Sequence, residues 1–291
     1  MKTQPWQLET GAYPFSIRFN PHYSHLDTER HVNNVAVQSF HTEARTRFHM
    51  AVLGERAWYS DDVLLRPRRT VTHFLRETHY PHEVTAAVRL VAVEDDSYRL
   101  VQALFQSGEC VGVQECLMGA WGEAGWVALP EAARRALAAE QVDGQPLLPW
   151  PDLPEETETF EPGPRQVALT ARYADLDPDR RLSELAQARY LEQARAGSVT
   201  MLRQPNLGLL VARIDIRYQR WDTGMGEVAL SSELAGIGNS SFVLRGRAAV
   251  DGRPVAMAES VMVLIDRDTH RPTPVPDALR AEMAVLQPST A

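Results

Sequence analysis

His25-Leu-Asp-Thr-Glu-Arg-His31-Val-Asn-Asn-Val-Ala-Val-Gln-Ser-Phe-His-Thr-Glu-Ala-Arg45 crowds an acid, a histidine and two asparagines in front of a helical pattern. Val37, Phe40, Ala44, Phe48 and Ala51 recur at spacings of three and four, which gives an amphipathic helix an apolar stripe. Asn33 or Asn34 suits its N-cap, and Gly54 suits its C-terminal stop. A second stretch repeats the layout in worn form: Asp175-Leu-Asp-Pro-Asp-Arg-Arg181-Leu-Ser-Glu-Leu-Ala-Gln-Ala-Arg-Tyr-Leu-Glu-Gln-Ala-Arg195. Asp27 aligns with Asp177, Phe40 with Tyr190, and Ala44-Arg45 with Ala194-Arg195.

The correspondence continues well past the helix. Ser97-Tyr98 matches Ser241-Phe242, Gly108 matches Gly252, and Glu115 matches Glu259; Leu129-Pro-Glu-Ala132 resembles Val275-Pro-Asp-Ala278. The chain is therefore expected to hold two copies of one unit, 1–143 and 166–291, joined by a Pro-rich acidic linker at 144–165. Each copy opens on a short strand, Phe15 to Phe19 or Val167 to Tyr173, ahead of the acidic loop and helix. In the second copy Ser183 is the candidate cap, with Leu185, Tyr190, Ala194 and Val199 along the helix. Strand patterns follow at Val71–Phe74, Glu83–Val93, Tyr98–Gln106 and Val111–Trp121, with counterparts at Ala212–Tyr218, Glu227–Ala235, Ser241–Val250 and Val255–Ile265. A helix followed by an antiparallel meander is an α+β unit.

Composition narrows the function. The chain has 291 residues, 44% of them hydrophobic, and a net charge of −8, which argues against a nucleic-acid partner. No apolar run is long enough to span a bilayer and Met1-Lys-Thr-Gln-Pro-Trp has no secretory core, so no membrane partner is expected and the location is read as cytoplasmic. Cys110 and Cys116, six apart in a strand pattern, should lie on one side of it and roughly 20 Å apart, too far to bridge.

A helix start leaves N–H groups without intrahelical acceptors and carries partial positive charge, so it polarises a carbonyl oxygen or holds an oxyanion. Asp27, four residues before His31, can face the same spot, where a carboxylate activates water or attacks directly. The plainer alternative is that Asp27 and the asparagines only turn and cap the chain.

Leu26-Asp27-x-x-x-His31-Val32-Asn33-Asn34-Val35, followed by Phe40-x-x-Glu43-Ala44-Arg45, resembles the signature of hotdog-fold thioesterases. It is similar to the 4-hydroxybenzoyl-CoA and acyl-CoA branch and to the tandem-hotdog acyl-ACP thioesterases. The resemblance implies a double hotdog, each unit a long helix wrapped by a curved antiparallel sheet. It further implies hydrolysis of an acyl-CoA or acyl-ACP thioester with Asp27 as base or nucleophile, and with His31, Asn33 and Asn34 shaping the site. Glu43 joins the candidates as a second carboxylate, although it can equally pair with Arg47 on the helix surface. His25 and Glu29 depart from the family pattern. In the second copy Arg181 and Ser183-Glu184 replace the histidine and the asparagines, so one working site per chain is expected. The alternative is a hotdog scaffold that binds acyl thioesters without cleaving them.

His22-x-x-His25 and His79-x-x-His82 invite a metal reading. They sit in a loop and beside Pro81 without a helical i,i+4 pair, and His82-Glu83 runs on to Ala86, so the zinc-protease pattern fails. No metal or cofactor is expected. Arg66, Arg68 and Arg69 are read as solvated loop charges rather than contacts to coenzyme A phosphates. Because one chain supplies both units, a monomer is sufficient, and a homodimer is also compatible.

Overall fold

The computed structural model describes residues 3–57, 64–123, 125–142, 144, 149–150, 159–199, 206–221 and 223–287. The chain divides into two compact units, Met1–Glu155 and Glu156–Ala291. Of the expected linker, residues 145–148 and 151–158 lie outside the described residues.

In the first unit β1 (Phe15–Phe19) leads through a 3-10 turn at Tyr23–His25 into α1 (Asn34–Leu53). There follow β2 (Leu64–Phe74), β3 (Val84–Val93), β4 (Ser97–Gln106), β5 (Glu109–Gly122), β6 (Gly125–Val127) and α2 (Glu131–Ala139). The antiparallel sheet runs β1-β3-β4-β5-β2, with β6 added to the end of β5. Val37, Phe40, Ala44 and Phe48 of α1 pack with Leu90, Tyr98, Leu100 and Met118 of the sheet in one core. Each fully buried Phe there stabilises the fold by about 1.5–3 kcal/mol. A second cluster lies on the opposite sheet face, where Trp6 and Tyr13 cover Val101, Ala103 and Val113. Covered on both faces, β4 has every residue buried.

The second unit repeats the order: β7 (Arg165–Thr170), a 3-10 turn at Tyr173–Asp175, α3 (Glu184–Val199), β8 (Leu207–Tyr218), β9 (Glu227–Ile237), β10 (Ser241–Val250), β11 (Arg253–Asp266) and α4 (Asp277–Met283). Its strands run β7-β9-β10-β11-β8, the same topology. A Cβ at Gly246 on β10 would lie 3.7 Å from Ala194 and Leu191 of α3, so helix and sheet are in close contact there. A network of charges runs across β9, β10 and β11. Arg245 bridges Glu233 and Glu259, each at 2.7 Å, and Arg247 joins Glu233 at 3.0 Å.

The fold departs from sequence expectation at several points. β2 and β8 begin well before the expected Val71 and Ala212. Pro67, which reads as a strand breaker, sits where the β2–β5 register shifts, and a bulge tolerates the missing donor. Arg66, Arg68 and Arg69 are therefore strand residues, not loop charges. Arg68 pairs with Asp96 at 3.0 Å and lies over the Trp126 ring, and Arg69 lies over Trp150. Val111 is an extra residue in β5, since Leu104 pairs with Gly112 while Phe105 pairs with Cys110. That bulge puts Cys116 in the helix-side core and Cys110 against the opposite cluster, so the two cysteines do not share a side. Ala51 is exposed and drops out of the α1 stripe. The tails read as matching sequence are helices α2 and α4, entered through Pro130 and Pro276.

Candidate functional site

The loop before α1 is built on Asp27. Leu26 and Val32 form an isolated bridge, the Asp27 N–H donates to the His31 carbonyl at 2.9 Å, and Arg30 N–H donates to the Asp27 carbonyl at 3.1 Å. Asp27 Oδ1 accepts the N–H groups of Glu29 at 2.9 Å and His31 at 3.1 Å. Arg30 takes the left-handed conformation, φ 68°, that closes the turn. The second copy reproduces it: Asp177 Oδ1 accepts from Asp179 and Arg181, Leu176 bridges Leu182, and Arg180 has φ 59°. One carboxylate oxygen of Asp27 is thus committed to backbone, and its Oδ2 accepts no hydrogen bond among the described residues.

Asn33 is the N-cap. Its Oδ1 accepts the Val35 N–H at 2.7 Å, its own N–H donates to His25 O at 2.8 Å, and its carbonyl opens the helix ladder to Val37. Asn34 is the first helical residue, half-buried beside the remaining first-turn amides. His25 stacks on His22 at 5.0 Å and meets Phe40 edge-on. Burial, then the neighbouring His22, pushes its pKa down, so it is a neutral wall of the loop.

The segment after β2 closes the site. Val32 N–H donates to Thr78 O at 2.9 Å, as Leu182 N–H does to Thr223 O at 2.8 Å in the second copy. That pairing brings His31 Nε2 to 3.3 Å from Glu77 Oε2. His79 Nε2 lies 3.9 Å from the same oxygen, with its ring edge-on to His31 at 5.5 Å. Buried Gln106 clamps the backbone here, accepting from His79 N–H at 2.8 Å and donating to the carbonyls of His79 and His82. His31, Glu77 and His79 form the one group of three or more His, Cys, Asp or Glu among the described residues with metal-ligand spacing.

Asp27, His31, Asn33 and Asn34 therefore converge at the helix start. Glu43 does not. It pairs with Arg47 at 2.8 Å on the helix surface, more than two turns along. Glu77 escaped sequence reading, because nothing local marks it and only the Val32–Thr78 pairing carries it to His31. Below the first turn α1 buries polar groups: Gln114 Nε2 donates to Gln38 Oε1 and Thr72 Oγ1, and Gln102 Nε2 donates to the His41 carbonyl. Burial first, then Arg45, lowers the His41 and His49 pKa values to about 3.

Residues 173–283 match the model of the thioesterase-like superfamily. No curated protein matches the chain. Among solved structures, the 12:0-ACP thioesterase from Umbellularia californica is similar with a TM-score of 0.71 at 16% identity, over 85% of this chain and 93% of that one. A putative oleoyl thioesterase from Lactobacillus plantarum gives 0.69 at 15%, over 86% and 95%. An acyl-ACP thioesterase from Bacteroides thetaiotaomicron gives 0.63 at 12%, over 85% and 96%. The superfamily match falls on the unit with the worn loop. The chain has the α+β fold of the hotdog thioesterases.

Proposed function

We propose that the chain is a tandem-hotdog thioester hydrolase whose reaction centre lies at the start of α1. The observation that carries this reading is the loop itself: Asp27 with one unengaged oxygen and the His31–Glu77 pair stand at the N-terminus of a 20-residue helix. The thioester carbonyl oxygen sits against first-turn N–H groups, which stabilise the oxyanion as it forms. Asp27 Oδ2 takes a proton from water as the water oxygen attacks the carbonyl carbon, or attacks that carbon itself to give an anhydride that water then opens. The tetrahedral intermediate collapses, the C–S bond breaks, and the departing thiolate takes the proton that Asp27 drew from water, or one from solvent on the anhydride route, while the His31–Glu77 pair orients the attacking water. The substrate is an acyl-CoA or acyl-ACP. Two of the similar solved structures, the 12:0-ACP thioesterase and the acyl-ACP thioesterase, support including the protein-borne thioester.

A second reading rests on the repeat. Asp177 makes the same backbone bonds in a copy without the histidine or the asparagines, so Asp27 would be a turn former and Glu77, acting through His31, the base. Free-thiol release over a panel of acyl-CoAs and acyl-ACPs separates the two. Asp27→Asn retains the turn acceptor, and on the main reading it lowers kcat by about 100-fold or more. A full rate in Asp27→Asn beside a collapse in Glu77→Gln selects the second reading. Saturable binding with no turnover across the panel leaves only a thioester-binding scaffold.

A further inference from the structure

We infer that His31, Glu77 and His79 form a binding site for a divalent transition-metal ion of the zinc class, and that filling it arrests hydrolysis. The second half rests on the proposed function; the first stands alone. Each residue offers one ligand atom, and the three atoms lie within 4.8 Å of one another. The two Nε2-to-Oε2 separations are 3.3 and 3.9 Å. Ligand atoms about 2.0–2.1 Å from a tetrahedral zinc ion stand about 3.3 Å apart, so small side-chain closures complete the set. Two imidazoles and one carboxylate suit zinc, cobalt or nickel, while calcium and magnesium require all-oxygen shells. Three protein ligands leave a fourth position to water, and all three side chains are partly solvent-exposed, so the ion has access.

The backbone beneath these ligands is held without their help. Asp27 Oδ1 fixes the His31 N–H, Val32 is tied to Thr78 between Glu77 and His79, and Gln106 grips both backbone polar groups of His79. The second unit is an internal control. It keeps the Leu182–Thr223 pairing but has Arg181 and Gly224 at the positions of His31 and His79. The loop therefore forms without the ligand set. A simple His31–Glu77 ion pair accounts for two of the residues and leaves the convergence of His79 on the same oxygen unexplained. A bound ion engages His31 Nε2 and the Glu77 carboxylate, and so takes apart the pair on which the proposed reaction relies.

The test uses chelator-treated full-length protein titrated with cobalt(II), read by its visible d–d absorption, and with zinc by calorimetry. One ion binds per chain; calcium and magnesium do not compete. His79→Gln weakens cobalt binding by about 100-fold, at least as much as losing a ligand's outer-shell support costs. His82→Gln binds as wild type. In the hydrolysis assay zinc lowers the rate in step with occupancy and a chelator restores it, while in His79→Gln the zinc concentration that halves the variant's own zinc-free rate rises by the same factor. Absence of stoichiometric binding, or binding unchanged in His79→Gln, overturns the site. Zinc that binds and leaves the rate unchanged or raises it overturns the arrest. If the chain cleaves no thioester, the proposed function falls and the cobalt titration still decides the site.

Discussion

Asp27, Asn33 and Glu43 all fall within one motif, and the structure gives them different tasks. Asn33 is a cap, so Asn33→Ala costs about 1 kcal/mol of stability, measurable as a lowered thermal midpoint. Glu43 pairs on the surface, so Glu43→Gln leaves kcat unchanged and costs about 0.3–0.5 kcal/mol; a large kcat loss there would restore it to the site. Asp27 was legible as a residue of interest because acid, histidine and asparagines cluster in sequence. Its division between backbone and open oxygen was not, because that depends on Arg30 adopting a positive φ. Glu77 was illegible for a different reason. Its relation to His31 exists only once Val32 pairs with Thr78, a contact across nearly two elements of chain.

At the scale of the element, α1 is read well at its ends and less well along its face. Asn33 and Gly54 bound it as capping chemistry requires, and Gly54 has φ 100°. Its buried side mixes the apolar stripe with Gln38, His41, Arg45 and His49, which an apolar pattern does not register. Those histidines predict an acid-sensitive fold. Free histidine protonates near pH 6.5, whereas His41 and His49 stay neutral down to about 3, so the unfolded chain binds more protons across that window. Stability therefore falls as pH drops from about 6.5 toward 3 and is fully retained above it, which denaturation at several pH values measures. Both His41 ring nitrogens are buried without a hydrogen-bond partner. His41→Leu accordingly flattens the acid limb and raises stability at neutral pH by about 1–3 kcal/mol; unchanged acid sensitivity would assign it to other groups. The strands teach the same lesson, because alternation set most boundaries while Pro67 and Val111 hid a bulge each.

For the molecule as a whole, the duplication was legible because paired landmarks keep their order, and the fold class followed from helix-then-meander in both copies. The difference between the two sheets was not, since it requires knowing what faces each strand. Trp6 and Tyr13 cover the first sheet around one buried Arg99–Glu115 pair, whereas Arg245 and Arg247 build a larger network with Glu233 and Glu259 on the second. Arg245→Ala leaves Glu233 and Glu259 short of a partner and costs about 2–4 kcal/mol, against at most about 0.5 kcal/mol for Arg47→Ala on the α1 surface. Urea denaturation of both variants checks the contrast, and equal effects would mean that the ion network contributes no more than an exposed pair.

The bulge at Val111 leaves the protein with a built-in clock. The chain has two cysteines, both on β5 and none in the second unit. Cys116 is fully enclosed, and burial pushes the Cys110 thiol up to about 11, which starves it of thiolate at neutral pH. Modification by a thiol-reactive dye therefore times the opening of the first unit from the wild-type sequence, and the same reluctance keeps the protein's own sulfur from adding to the signal of a colorimetric free-thiol assay.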